Sequence, residues 1–201
     1  MLYINPDNPQ PRLIKQAADA LKQGAVICYP TDTAFGIGCD IYNKKAIKRI
    51  YQLKRRPKNK PFSFMCSGLK NVSEYGFLSN TAYRLMKKSL PGAYTFVLPA
   101  MKIVPKIMLS KQKTVGIRVP NNTICQHLVE ALGNPVLTTS AATDDGEPYL
   151  MAYEVEDIYG SQIDIIIDDS CSVTPCFSSI ISLVGDEAEV LREGKGDTSL
   201  F

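Results

Sequence analysis

The sequence predicts a layered α/β domain built on a mixed sheet, and three observations lead there. Amphipathic helical patterns alternate with short apolar runs, the last three such runs follow one another with no crossover helix between them, and no internal repeat or low-complexity tract interrupts the pattern. At 201 residues the chain can close one sizeable core, and no break in composition divides it, so residues 1–201 read as a single domain.

The elements follow in order. After Pro11, residues Leu13, Ile14, Ala17, Ala18 and Leu21 recur at helical spacing, and Gly24 stands where a left-handed cap would end the helix. Ala25 to Tyr29 reads as a strand that stops at Pro30. A second helix begins at the cap residue Asn43, carries Ala46, Ile47, Ile50 and Tyr51 on one face and cations on the other, and ends before Pro57. Phe62 to Cys66 is a short strand. Ser79 caps a helix through Leu85 and Met86 that stops before Pro91. Tyr94 to Leu98 and Thr114 to Val119 are strands, Thr123 caps a helix carrying Ile124, Leu128, Val129 and Leu132, and Pro135 to Thr139 is the strand after it. Ile163 to Ile167, Ser179 to Leu183 and Ala188 to Leu191 are the closing strands.

Composition narrows the function classes. There is no apolar run of about eighteen residues, and the first twenty residues carry Asn5, Asp7, Arg12 and Lys15 in place of a signal peptide's apolar core. A cytoplasmic protein without membrane partners is expected. Cys28 and Cys66 lie in apolar runs, where a thiol behaves as a small hydrophobe in a reducing compartment. Cys171 and Cys176 have a poor zinc spacing and no histidine nearby, so two packed thiols are expected and no metal site.

The net charge of +3 conceals a strong segregation: Ile41 to Val129 holds eighteen Lys and Arg against Glu74 alone, and Glu130 to Phe201 holds fifteen acids against Arg192 and Lys195. Either a basic face meets phosphate or nucleic acid, or two solvated faces neutralise each other across the fold.

Ligands gather where strands end in open α/β sheets, which singles out three segments. Pro30-Thr31-Asp32-Thr33 with Phe35-Gly36 follows the first strand and reads as donors for a small polar ligand or as a plain ST-turn. Lys54-Arg55-Arg56-Pro57 ends the cationic helix; Pro57 pushes Arg56 out of helical geometry, so Lys54 and Arg56 either converge on a polyphosphate or complement the helix dipole. Thr138-Thr139-Ser140-Ala141-Ala142 ends another strand and offers hydroxyls and backbone N–H groups to an anion. Arg118 interrupts an apolar strand and needs an anionic partner, a ligand or a carboxylate such as Asp168. Gly194-Lys195-Gly196-Asp197-Thr198 has the wrong spacing for a Walker loop, and with His127 the sole histidine, on a helix, a Ser/His/Asp triad is excluded.

Taken in order, Pro30-Thr31-Asp32-Thr33 with Phe35-Gly36, Lys54 with Arg56-Pro57, Pro91-Gly92 with Thr95, Arg118 with Pro120, Thr139-Ser140-Ala141, Ser178-Ser179 and Arg192 with Gly194 resemble the YrdC/YciO family, and the stretch from Ala82 to Pro120, including Tyr94 to Leu98, looks most like its YciO branch. The resemblance implies a twisted open mixed sheet with flanking helices, the YrdC/RibB-like fold, around a positively charged concavity. It implies that Lys54 and Arg56 act on ATP phosphates and the substrate carboxylate, that Arg118, Thr139, Ser140 and Arg192 line the nucleotide, and that Thr31, Thr33, Lys60 and Ser178 frame L-threonine. The implied activity joins threonine, bicarbonate and ATP, carried with Mg²⁺, into threonylcarbamoyl-AMP and pyrophosphate for tRNA modification. The alternative is a non-catalytic module for tRNA or double-stranded RNA, suggested by the basic segment. The family's Ser-x-Asn motif stands here as Ser140-Ala141-Ala142, and Lys60 stands where the synthases often carry histidine.

Overall fold

The computed structural model describes every residue except 58–60, 172, 174 and 186. The described strands are β1 (Leu2–Tyr3), β2 (Ile27–Tyr29), β3 (Gly36–Asp40), β4 (Ser63–Met65), β5 (Tyr94–Pro99), β6 (Thr114–Arg118), β7 (Val136–Ser140), β8 (Ile165–Asp168), β9 (Ser179–Ser182) and β10 (Glu189–Arg192). They form one sheet in the order β1-β8-β2-β3-β7-β4-β6-β5-β9-β10. The sheet is mixed: β8 pairs in parallel with β1 and β2, β4 with β6, and β5 with β9, whereas β2–β3, β3–β7, β4–β7, β5–β6 and β9–β10 are antiparallel.

The helices are α1 (Pro11–Lys22), α2 (Lys44–Leu53), α3 (Leu69–Tyr75), α4 (Asn80–Ser89), α5 (Thr123–Leu132) and α6 (Ala152–Tyr159). The expected caps at Asn43 and Ser79 hold, each accepting a backbone N–H, from Ala46 and Ala82. For α5 the cap is Asn122, which accepts from Cys125 N, and Thr123 is the first helical residue. β1, β3, α3 and α6 are elements the sequence reading did not anticipate.

Because side chains alternate along each strand, the sheet separates two cores. On one face Cys28, Ile37, Phe64, Phe96, Ile117, Leu137 and Ile181 pack under α2, α3, α4 and α6. On the other, Ile27, Tyr29, Met65, Val136 and Ile167 pack under α1 and α5. Side chains such as Phe64, Phe96 and Ile37 are wholly buried, each worth about 1.5–3 kcal/mol of transfer free energy. The second face is covered from β1 as far as Met65 on β4; among the described residues no helix packs against it over β6, β5, β9 and β10. That bare half carries polar side chains.

No helix among the described residues is long and apolar enough to cross a membrane. The six cysteines are free thiols; Cys28, Cys39, Cys66 and Cys125 are buried. Cys171 is exposed and Cys176 half-buried, so this pair is not packed as its spacing suggested.

Candidate anion-binding site

The bare half of the sheet forms a hollow, and alternation explains its lining. Ser63 on β4 is two residues from core Met65; Thr138 and Ser140 on β7 follow Val136 at the same spacing. Thr95 sits between core residues Tyr94 and Phe96, and Arg118 lies in register with Met65. Gly116 deepens the floor, because a Cβ there would stand 2.5 Å from Ser63 Oγ. Ser178, Ile180 and Arg192 close the side formed by β9 and β10, and Arg56 with Phe62 closes the opposite rim. The enclosed space is about 170 Å³, below the roughly 300–1,000 Å³ of sites that engulf a whole ligand. A space of this size takes a phosphate-sized group, and a larger ligand would extend beyond it.

Each guanidinium is held by an identifiable contact. Arg118, 8% exposed, donates through Nη2 to Asp32 Oδ1 at 3.0 Å and to Thr33 Oγ1 at 3.1 Å, while its Nε is buried with no partner among the described residues. The carboxylate is Asp32, not Asp168. Arg192 donates to the Ser178 carbonyl at 2.7 Å and stacks 5.6 Å over Phe177. Burial holds its pKa below the ordinary arginine range, and the like charge of Arg118 adds to that. Arg56 stacks 4.7 Å over Phe62 and donates to the Pro61 carbonyl. Three cations in one hollow repel one another, and an anion between them relieves that repulsion.

Arg56 reaches the rim because α2 ends in a Schellman turn. Arg55 N donates to Gln52 O and Arg56 N to Tyr51 O, with Arg55 at φ +45°, a position that favours glycine. The helix thus stops at Leu53, before Pro57 can force it to.

Lys54 does not join Arg56. Its Nζ donates to Ala142 O at 3.2 Å and Tyr159 Oη at 3.3 Å, in an adjacent pocket shared with Asp144 and Tyr149. Burial lowers its pKa. The two short motifs divide alike: Arg56 and Ser140 line the hollow, and Lys54 and Ala142 line its neighbour.

Of the remaining expected residues, Thr139 and Ser178 line the hollow, and Ser178 Oγ lies 2.8 Å from Thr95 Oγ1. Thr31 and Thr33 are buried and do not line it; Thr33 N donates to Thr31 Oγ1 and Thr31 donates to the Ala34 carbonyl, an ST-turn. Their link to the site runs through Thr33 and Arg118. Lys60 lies outside the described residues. Ser63, Phe62 and Ile180 escaped the sequence reading, although Ser63 next to Phe64 carries the period-two signal of a strand with one wet face. Among the described residues no group of three or more His, Cys, Asp or Glu could hold a metal ion.

Fold and site define a class: an α/β protein whose half-covered sheet collects guanidinium groups and hydroxyls at strand ends, a lining whose chemistry suits an anion. The chain belongs to the Sua5/YciO/YrdC family, whose model, described as "Telomere recombination", matches residues 19–194. It is 43% identical over 202 residues to the uncharacterized protein YciO of Escherichia coli strain K12, covering 99% of this chain and 97% of that one. The crystal structure of E. coli YciO matches with a TM-score of 0.94 at 42% identity, over 100% of this chain and 98% of that one. The threonylcarbamoyl-AMP synthase of Vibrio vulnificus strain YJ016 is 32% identical over 157 residues, 77% of this chain and 84% of its own. P. abyssi Sua5 complexed with L-threonine matches with a TM-score of 0.88 at 26% identity, over 96% of this chain and 57% of that one.

Proposed function

We propose that the chain is an ATP-dependent L-threonylcarbamoyladenylate synthase-like protein. The observation that carries this reading is the convergence of Arg56, Arg118 and Arg192, far apart in sequence, on one hollow beside Ser140 and Ser178. Relatedness to threonylcarbamoyl-AMP synthases supports the reaction type, and a relative that binds L-threonine supports the amino acid.

In this reading threonine's amine and bicarbonate give a carbamate and water. A carbamate oxygen attacks the α-phosphorus of ATP, the bond to the β,γ-pyrophosphate breaks, and a carbamoyl–adenylate anhydride remains. No protein nucleophile takes part. Arg56 and Arg192 hold the triphosphate from opposite rims, and the Nε of Arg118 donates to an oxygen that gains charge as the leaving group departs. Ser140 and Thr138 donate to phosphate oxygens, and Thr139 lines the hollow with its backbone; Thr95 and Ser178 present hydroxyls to the amino acid. Mg²⁺ enters with the triphosphate as part of the substrate. The test is pyrophosphate release from ATP, threonine and bicarbonate; release dependent on all three, and lost in Arg118→Ala, is expected. Release no faster than without protein removes the reading.

A second reading, a non-catalytic module for tRNA or double-stranded RNA, is favoured by exposed Lys44, Lys45 and Lys48 on α2 and Arg84, Lys87 and Lys88 on α4. These helices cover the face opposite the hollow. Filter binding that weakens steeply with salt supports it, and no retention at low salt disposes of it.

A further inference from the structure

Arg56 borders two cavities. One is the hollow; the other is a separate groove of about 390 Å³ beside the C-terminal half of α2, reaching Ile107 in the 3₁₀ turn Lys106–Met108. Lys48, Gln52, Arg55 and Arg56 line this groove together with Tyr51 and Ile107. Three of the six are cations. Arg55 also reaches Asp144 at 3.7 Å, a contact between largely exposed side chains that holds little of its charge.

Tyr51 supplies an independent sign. It is 5% exposed, its ring packs 4.7 Å from Phe62, and its hydroxyl is sealed from solvent with no hydrogen-bond partner among the described residues. Buried phenols ordinarily have a partner, so this O–H is a donor in want of an acceptor, and the charge of Arg56 acts on it. The carboxyl end of a helix would usually repel an anion. Here the Tyr51 and Gln52 carbonyls already accept from Arg56 and Arg55, which blunts that repulsion.

We propose that this outer groove is a second site for a phosphate-class anion, held by Lys48, Arg55 and Arg56 with the Tyr51 hydroxyl as a neutral donor. The site does not depend on the reaction proposed above, and it is distinct from the hollow except for the shared guanidinium. A free pyrophosphate and a nucleic-acid phosphodiester present the same oxygens to it.

The experiment is a titration of the ¹⁵N-labelled full chain with inorganic pyrophosphate, following the amides of Lys48, Gln52, Arg55 and Ile107. Saturable shifts are expected there, with affinity falling roughly tenfold or more in a Lys48→Ala, Arg55→Ala double variant. Both replaced side chains are exposed, so the fold persists, and shifts at Ser140 and Arg118 keep their own saturation curve. Tyr51→Phe weakens the outer site alone. A parallel titration with a short RNA duplex separates the two sources: saturation at lower concentration by RNA assigns the groove to a nucleic-acid backbone, and saturation by pyrophosphate alone assigns it to a free anion. Absence of saturable shifts at these four amides with either probe, or an unchanged affinity in the double variant, overturns the proposal.

Discussion

Arg118 Nη2 stands 3.0 Å from Asp32 Oδ1, with the two side chains only 9% and 11% exposed. The deepest cation of the hollow thus comes with its own counter-charge, and the net pull on a ligand comes more from Arg56 and Arg192. Asp32 also accepts from Asn121 N, so it ties the loop after β2 to the end of β6. Replacing Asp32 with Ala leaves a buried guanidinium without its partner and is expected to destabilise the fold by about 3 kcal/mol. Urea unfolding of the two proteins measures it.

Arg56 and Arg192 face the hollow, whereas the Lys54 ammonium is engaged by Ala142 O and Tyr159 Oη. Arg56→Ala or Arg192→Ala is therefore expected to weaken ATP binding by about 10- to 100-fold, the loss of one charge-assisted contact, and Lys54→Ala by less. Calorimetric titration with ATP ranks the three variants.

Ala142 sits beside Lys54 in the neighbouring pocket, where the family motif carries an amide. Ala142→Asn restores a donor and acceptor there and is expected to raise pyrophosphate release by roughly tenfold, the worth of one hydrogen bond to a charged group. An unchanged rate shows that this amide is not what limits the chemistry.

Arg55 pays a steric cost at φ +45° that glycine would not. Arg55→Gly keeps the Schellman hydrogen bonds, gives up only the exposed contact with Asp144, and is expected to stabilise the protein by about 1 kcal/mol. A higher unfolding temperature in calorimetry confirms it.

Burial is the main force that raises the phenol of Tyr159, pushed up to about 12 from 10.0, with Tyr149 and Asp144 adding to it. Tyr29 and Tyr75 shift in the same direction, again chiefly through burial. A phenol raised in the folded state favours folding fully below its unfolded pKa, and that contribution is lost as pH rises through the folded value. Stability is accordingly expected to fall between about pH 10 and about pH 12, and to fall less steeply in Tyr159→Phe. Denaturant midpoints across that range, with tyrosinate absorbance as a second probe, check the slope.

The parts of the fold that could be read in the sequence are those whose local chemistry agrees with their tertiary role. α1, α2, α4 and α5 announce themselves by apolar spacing and by Asn, Ser or Gly at their ends. β3 does not, because Gly36 and Gly38 read as turn residues; they are glycines because the Tyr29 ring lies across that face, where a Cβ at Gly36 would stand 2.7 Å from the ring. α3 is short and starts at Gly68 with no side-chain cap, and ahead of α6 the backbone N–H groups of Leu150 and Met151 donate to the carboxylate of Glu154 inside the helix. In the site, the meeting of Arg56, Arg118 and Arg192 was implied by the family resemblance, since their positions at strand and helix ends alone fit structural partners equally well. The course of Lys54 did not, since only the fold places Ala142 O and Tyr159 within its reach. Nor could Asp32 be preferred over Asp168 for Arg118 without the pairing of β4, β6 and β7.

One strand runs from the dry interior to the wet site. On β7, Val136 lies beneath α1 and α5, and Thr138 and Ser140 on the same face enter the hollow, while Leu137 feeds the opposite core. Binding groups and packing groups therefore share a single reading frame, and a one-residue insertion before Val136 would turn hydroxyls into the larger core and Leu137 into the solvent-facing hollow together. This strand can change the identity of its side chains, but never its phase.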